Sequence, residues 1–554
     1  MCYAQKTRSK SNNNMLKQNK TNQQSDFQLC DIAIVGAGIA GMYAGERILK
    51  DTNQTKKVII LEKSSNVGGR LKSQFFPGLK TSPIEHGGMR FHTEHALVNY
   101  LKDYLQLETD DFSYELLGFI LRGQKCEETN IKTVVQLIYK LKSNEINMTP
   151  IELVEYAIQE NYGLTGFVTK TIDEKREIIN KLIKTNKYKS TYLTQINWST
   201  FLFQTLSAEA ISLIKSTEGY NSNLDNLSAS EGMIEMYRFN HGGYKFILKG
   251  FQKIVEALRD NFIEMNGQLL LKSQVIKFKK NIENSTDEKA ATIFESLKKQ
   301  GKSTEYFLEY TDLVSNKSKY IFCNKIILAM PKMPIKQLSR TTTFFSSENG
   351  LSESKLNQVQ KMQSLKLYVH LDESDQMHNM DLQGKKIYTD GVIRMAYFLK
   401  NDDTNSKETV ILIYADQAAV YEMGLPNSKY KGANSPIDAK HEFFVMHISK
   451  HIEDLIRIFK CRPDFEIPTV KNIAYSYWDE AYHCFVPYSN PKKIIKEMIK
   501  PVSNFDVFIC GSAYSNKQSW VEGALLTTEY MLNKHFDLKP ANNNLKKYIK
   551  ENFD

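Results

Sequence analysis

Three glycines and one acid in this chain have the spacing to hold a dinucleotide. Gly36, Gly38 and Gly41 form a Gly-x-Gly-x-x-Gly turn with Ala37, Ile39 and Ala40 between them, and Glu62 follows Gly41 by 21 residues. In such a turn the first glycine permits the tight reversal. The second lets a pyrophosphate approach the backbone, and the third lets helix and strand pack closely. The helix that follows offers unpaired N–H groups and the positive end of its dipole to phosphates. The acid is placed to accept a hydrogen bond from a ribose hydroxyl. A second candidate is Arg90. A guanidinium grips a carboxylate through two parallel charge-assisted hydrogen bonds. Taken alone, Arg90 fits a structural bridge between carboxylates equally well.

These residues need particular elements around them. CDIAIV is a short apolar run ahead of the glycines, MYAGERILKD has helical character behind them, and KVIILE is a second apolar run ending at Glu62. The order strand, turn, helix, strand is the setting that the fingerprint requires. It leaves NAD and FAD both open. Further on, Leu97, Leu101, Tyr104 and Leu105 mark a helical face, and so do Phe251, Ile254, Val255 and Leu258. Residues 110–235 read as mainly helical. Residues 268–330 read as strands interrupted by a polar stretch from 281 to 303. LKLYVHL alternates strictly, with Leu365, Leu367, Val369 and Leu371 on one face and Lys366 on the other. Residues 401–410 and 424–437 read as surface loops. DVFICG reads as a last strand, and EGALLTTEYMLNKHF as a last helix.

The segment after Glu62 resembles a known family. EKSSNVGGRLKS runs from Glu62 and Lys63 into Gly68, Gly69 and Arg70. It is similar to the glycine-glycine-arginine motif of the flavin-dependent amine oxidase superfamily. The resemblance covers about residues 30–536 and implies FAD as the cofactor. It implies a Rossmann-like FAD-binding domain with a discontinuous α+β substrate domain that includes a helical insert, an α/β architecture. Gly87, Gly88, Met89 and Arg90 resemble the segment along the flavin, and the stretch from Gly242 to Leu258 resembles the family's glycine-led segment before a helix. Val275 falls where a strand backbone holds the adenine. FICGSAYSNKQSWVEGA resembles the closing flavin motif and brings in Gly511, Ser512, Trp520 and Val521. Ser512 stands where the family usually has glutamate, and serine reaches a ribityl hydroxyl less well. The implied division is a basic tail, 1–26, expected to be disordered; FAD-binding parts at 27–109, 236–331 and 491–537; a helical insert, 110–235; a substrate sheet, 332–490; and a C-terminal tail, 538–554.

On the substrate side GGMRFHTEHALVNYL is most like the L-amino acid oxidase branch. There the arginine matching Arg90 holds the substrate carboxylate. Tyr397, in YTDGVIRMAYFLK, matches a second carboxylate contact, with a slip onto Phe398 and a core role both open. Lys366 matches a lysine that holds water against the flavin, against the plain reading of a solvent-facing strand lysine. Trp520 resembles an aromatic wall beside the substrate amine, and Ser519 matches a backbone contact to the amino group. Cys484 lies near the position of a cysteine that monoamine oxidases link to flavin, which amino acid oxidases lack. His483 beside it reads first as a satisfied core histidine. The implied reaction is oxidation of the carbon–nitrogen bond of an L-amino acid by oxygen, giving a 2-oxo acid, ammonia and hydrogen peroxide. Polyamine or monoamine oxidation, a tryptophan-monooxygenase-like outcome, and an inactive flavin-binding partner protein remain alternatives.

Bulk properties agree. The chain has 554 residues, 41% hydrophobic and 25% charged, with seven scattered cysteines and no CxxC pair. That excludes a disulfide framework and a zinc ribbon. The +10 net charge is spread along the whole chain, as on a solvated surface, so no nucleic-acid partner is expected. No apolar run reaches the ~18 residues of a membrane span. A cytoplasmic enzyme is expected, with organelle targeting by the basic N-terminus and homo-oligomerisation left open.

Overall fold

The computed structural model describes the chain apart from residues 1–25, 77–82, 221–223, 225, 239–242, 281–286, 339–341, 346–349, 402–405, 418, 420–435, 438–441 and 554. The basic tail except Asp26, Gly242, and much of the two surface loops lie outside the described residues.

The first sheet is parallel and five-stranded. Ile32–Val35 (β1) is followed by helix Ile39–Asp51 (α1) and strand Val58–Leu61 (β2). β1 and β2 pair with Ile32 opposite Val58. Gln268–Leu270 lies outside β2. Lys325–Leu328 pairs on the other side of β1, and Val507–Ile509 pairs beyond it. The four residues of β1 and of β2 are all buried. Continuous apolar runs of this kind suit a parallel sheet covered on both faces. One cover is α1, and behind it lies the helix Val521–His535. A buried network joins these two helices: Arg47 and the Tyr43 hydroxyl donate to Glu529 at 2.6 and 2.7 Å.

The second sheet has eight strands. Its middle is the long strand Val359–Leu371 (β3), flanked by Val470–Phe485 and by Thr409–Asp416 (β4). Met395–Phe398 (β5) pairs with β4, Lys385–Thr389 (β6) with β5, and Glu115–Leu121 with β6. As expected, Leu365, Leu367, Val369 and Leu371 share a face, and they pack in one apolar cluster with the helix residues Ile448, Ile452 and Leu455. Lys366, Tyr368 and His370 point the other way and are buried too.

Three expectations need correction. Residues 110–235 do not begin helical: Glu115–Leu121 and Gln124–Cys126 belong to the eight-stranded sheet, and helices start at Ile131. The polar stretch 281–303 contains a helix, Glu288–Lys299. Asp287 caps it by accepting from the Ala290 N–H at 3.1 Å, and it buries only Ala290 and Leu297. So narrow an apolar stripe is masked by its charged face. The C-terminal tail holds a helix, Asn543–Phe553, with Leu545, Ile549 and Phe553 buried at helical spacing. Phe553 stacks on Tyr530 at 3.7 Å. No helix among the described residues is long and apolar enough to cross a membrane.

Candidate functional site

The glycine turn sits at the carboxyl end of β1. Gly36 has φ +106°, and a Cβ there would lie 2.6 Å from the Ala329 carbonyl oxygen. A Cβ on Gly41 would lie 1.9 Å from the Gly36 carbonyl oxygen. Both positions therefore exclude other residues. Gly38 differs: the nearest atom to an added Cβ is the Gly68 oxygen, at 3.9 Å. Gly69 is similarly open, with the Gly38 Cα at 3.7 Å. Gly38 is also the N-cap of α1, and no side chain caps that helix. Open backbone and an uncapped helix end together form a cradle for phosphates. Glu62 directly follows β2 beside it, and its carboxylate accepts from the Ala37 N–H at 2.8 Å and the Ser64 N–H at 2.8 Å. Lys63 is exposed next to it, and Ile39 and Ala40 are buried in the first turn of α1. Val275 is half-buried in a strand next to a register shift.

Arg70 reaches across to the closing motif. It donates to the Ala481 carbonyl at 2.9 Å and to the Ser512 hydroxyl at 3.3 Å. Ser512 is buried, so the residue that replaces the usual glutamate is tied to this arginine. Burial holds the Arg70 pKa below its ordinary value. This donor set fits FAD: an open glycine cradle, a ribose acid and an arginine with guanidinium capacity left over. Glu522, in the first turn of the helix Val521–His535, has a different task. It accepts from the Leu97 and Val98 N–H groups at 3.0 and 2.9 Å and so caps the helix Ala96–Tyr104.

Gly87 packs against the Arg70 backbone, and Gly88 against the Leu71 and Phe251 side chains. The Lys366 ammonium, on β3, donates to the Gly87 carbonyl at 2.5 Å and to the Glu85 carbonyl at 3.3 Å. Lys366 is thus buried, not solvent-facing. Burial pushes its pKa down to about 7, opposed by Glu85 and reinforced by Arg90. Burial pushes the Glu85 carboxyl up to about 7, opposed by its hydrogen bonds from the Phe251 N–H and the Ser73 hydroxyl and by Lys366.

Met89 is buried in a cluster with Tyr397, Tyr368 and Met395. Arg90 beside it is half-buried. Its guanidinium lies 4.7 Å from the Tyr244 ring centre and 5.1 Å from that of Phe112. Among the described residues no carboxylate is within 4 Å of it. Burial acts against its charge, but Tyr397, Tyr220, Tyr388 and Tyr244 lie close enough that their negative charges, once they ionise at high pH, raise its pKa above the ordinary value. Burial keeps those of Tyr220, Tyr388 and Tyr397 raised, so they stand as neutral hydroxyls. Tyr397 is on this side of its strand, whereas Phe398 packs in the cluster behind. Trp520 is half-buried and stacks on Tyr244, with centres 6.0 Å apart, and meets His95 edge-on. Ser519 is exposed just before it, with φ +69°. Tyr414 completes the wall, 5.3 Å from both Tyr220 and the Lys366 ammonium.

Tyr220, Tyr244, Tyr388, Tyr414 and Phe112 were not singled out from the sequence as site residues. Cross-strand alternation was the available signal for one of them, since Tyr388 opposes Met395 two residues before Tyr397. Cys484 packs with the helical insert's core, and His483 bonds to Glu480 at 2.8 Å.

A family model described as flavin containing amine oxidoreductase matches residues 39–433. The chain belongs to that family. Its cofactor is accordingly FAD, and its class is FAD-dependent amine oxidase. Aplysianin-A of Aplysia kurodai is 23% identical, with 93% of each chain covered. Achacin of Lissachatina fulica is also 23% identical, over 91% of this chain and 93% of its own. Putrescine oxidase bound to putrescine shares the fold, with a TM-score of 0.61 and 13% identity over 92% of this chain and 100% of that one.

Proposed function

We propose that this family member oxidises the carbon–nitrogen bond of an L-amino acid, consuming oxygen and water and releasing a 2-oxo acid, ammonia and hydrogen peroxide. The observation that carries the reading is Arg90, a guanidinium without a carboxylate partner among the described residues, set among Tyr220, Tyr388 and Tyr397, whose phenols burial keeps neutral. A buried cation is costly unless it is paired. A substrate carboxylate supplies the pair, and a simple diamine would instead add repulsion.

Gly38, Gly69, Glu62, Arg70 and Ser512 hold FAD in this reading, with the family's backbone contacts at Gly36, Gly41, Gly87, Gly511 and Val521. FAD, when bound, supplies the two-electron acceptor. The protein's part is placement. Arg90 and the Tyr397 hydroxyl anchor the α-carboxylate, and Trp520 and Tyr244 wall the amine. Lys366 stands over the Gly87 segment, where it holds water. The same burial that depresses Lys366 favours an uncharged amine in the substrate. Fixing the reacting carbon in one orientation is worth several kcal/mol by itself.

The test is anaerobic titration of the yellow protein with a panel of L-amino acids and with putrescine. Bleaching by amino acids alone supports the reading. Bleaching by putrescine alone overturns it in favour of an amine substrate lacking a carboxylate.

A further inference from the structure

A second cation shares the wall with Arg90. Lys386 on β6 opposes Tyr397 on β5, and opposed residues of an antiparallel pair project from the same face. Its ammonium lies 5.4 Å from the centre of the Tyr388 ring. It is half-buried. Burial lowers its pKa, Tyr397 opposes that, and Arg90 adds to it, so the two cations feel each other. The carboxylate whose charge reaches Lys386 is Glu128, which is exposed, and no described carboxylate lies within 4 Å. Asp416 is farther along the wall, beyond Tyr414, and accepts from the Tyr482 hydroxyl at 3.2 Å.

The charges then count as follows. Lys366 is balanced by Glu85, the buried acid whose charge acts on it. Arg90 and Lys386 are left as two cations around Tyr397 and Tyr388, in a place where unbalanced charge is costly. An amino acid with a neutral side chain and an uncharged amine brings one negative charge. One with a side-chain carboxylate brings two. Building on the amino-acid reading above, we infer that the substrate is an acidic L-amino acid, its α-carboxylate held by Arg90 and its side-chain carboxylate by Lys386. Tyr397 acts on both cations and Tyr388 lies beside each of them, so their hydroxyls are available to donate to the carboxylates.

The experiment compares the full-length, FAD-loaded protein with Lys386→Met and Lys386→Arg. Oxygen uptake is measured with L-glutamate, L-aspartate, their amides L-glutamine and L-asparagine, and putrescine. One acid should exceed its own amide in kcat/KM by roughly tenfold or more, the size of a single good charge-assisted contact. Which acid does so reports the reach of the pocket. In Lys386→Met the acid-over-amide ratio should fall at least tenfold, chiefly through KM, and Lys386→Arg should restore most of it. Both amides turned over as well as their acids, or a ratio unmoved by Lys386→Met for the preferred acid, overturns the inference while leaving amino-acid oxidation intact. Turnover of putrescine with no amino acid oxidised overturns both.

Discussion

The proposed cofactor side of this molecule is built mostly from backbone, and the proposed substrate side mostly from side chains. Around the glycine turn the shaping atoms are the carbonyls of Gly36 and Ala329, the Ala37 N–H and the uncapped end of α1. Around Arg90 they are rings and hydroxyls from Phe112, Tyr220, Tyr244, Tyr388, Tyr397 and Tyr414, drawn from sequence positions about 300 residues apart. The first arrangement tolerates change only in side chains that point away. The second sits on a sheet and loops that would fold with other residues in the same places. Affinity for the cofactor and choice of substrate should therefore be separable by mutation.

The largest expected effect separates two glycines on the cofactor side. Gly41→Ala places a methyl 1.9 Å from the Gly36 oxygen, so the turn must open. The protein should lose its yellow colour and unfold at lower temperature. Gly38→Ala meets nothing closer than 3.9 Å. Its apo form should melt within about 2 °C of the unaltered apo protein, yet FAD affinity should fall at least tenfold because the methyl fills the cradle. Equal melting losses in both variants would contradict the division between structural and ligand-facing glycines.

This contrast also explains what was legible in the sequence. Gly36, Gly38, Gly41 and Glu62 lie within 27 residues, and a backbone-built site needs that fixed local spacing. The strict alternation of Leu365 to Leu371 exposed its strand for the same reason: period two is local. The tyrosine ring has no local spacing at all. It exists only after Tyr220, Tyr244 and Tyr388 are brought to Arg90 by tertiary packing. The C-terminal helix was missed because its three buried residues are diluted by lysines and asparagines, and the stripe is held by Tyr530 from elsewhere. Ser512 looked like a weakness in the cofactor motif, but its hydroxyl engages Arg70, which sequence spacing could not reveal.

Next in size is Arg90→Ala. Removing a buried bidentate contact to a carboxylate should lower kcat/KM for amino acids by about a thousandfold, near 4 kcal/mol. Bound FAD and its spectrum should persist, because the role proposed for Arg90 is on the substrate side. Loss of colour together with activity would erase the proposed separation. Arg90→Lys should recover little, since an ammonium lacks the paired donors.

Glu85 lies at the seam, one residue before the pair His86 and Gly87, and it tests whether the two sides are coupled. Its carboxyl titrates near 7 in the folded protein against an ordinary value of 4.5. The folded state keeps a proton that the unfolded chain releases in that window. Stability from Glu85 is therefore fully present below pH 4.5 and is lost as pH rises through 7. Glu85→Gln stays neutral, so the difference in unfolding free energy should move in favour of the variant between pH 4.5 and 7. The size is on the order of 2–3 kcal/mol, from about 1.4 kcal/mol per pH unit. Denaturant midpoints at pH 5 and 7.5 measure it, and a constant difference would show that Glu85 is ionised throughout.

The smallest effect concerns two neighbours on one strand. Tyr397 faces Arg90, and Phe398 packs behind with Leu367, Ile411 and Ile413. Tyr397→Phe removes one hydroxyl and leaves the ring. One hydrogen bond to a charged group is worth about 1.5 kcal/mol, so KM for an amino acid should rise roughly tenfold with melting temperature nearly unchanged. Phe398→Leu should do the reverse. It opens space in a packed apolar layer, at a cost of about 1 kcal/mol or more, and leaves KM alone because its side chain never reaches the site. If Phe398→Leu raised KM and Tyr397→Phe did not, the carboxylate contact would belong to the other face, and the tyrosine ring around Arg90 would be packing without a role in choosing substrate.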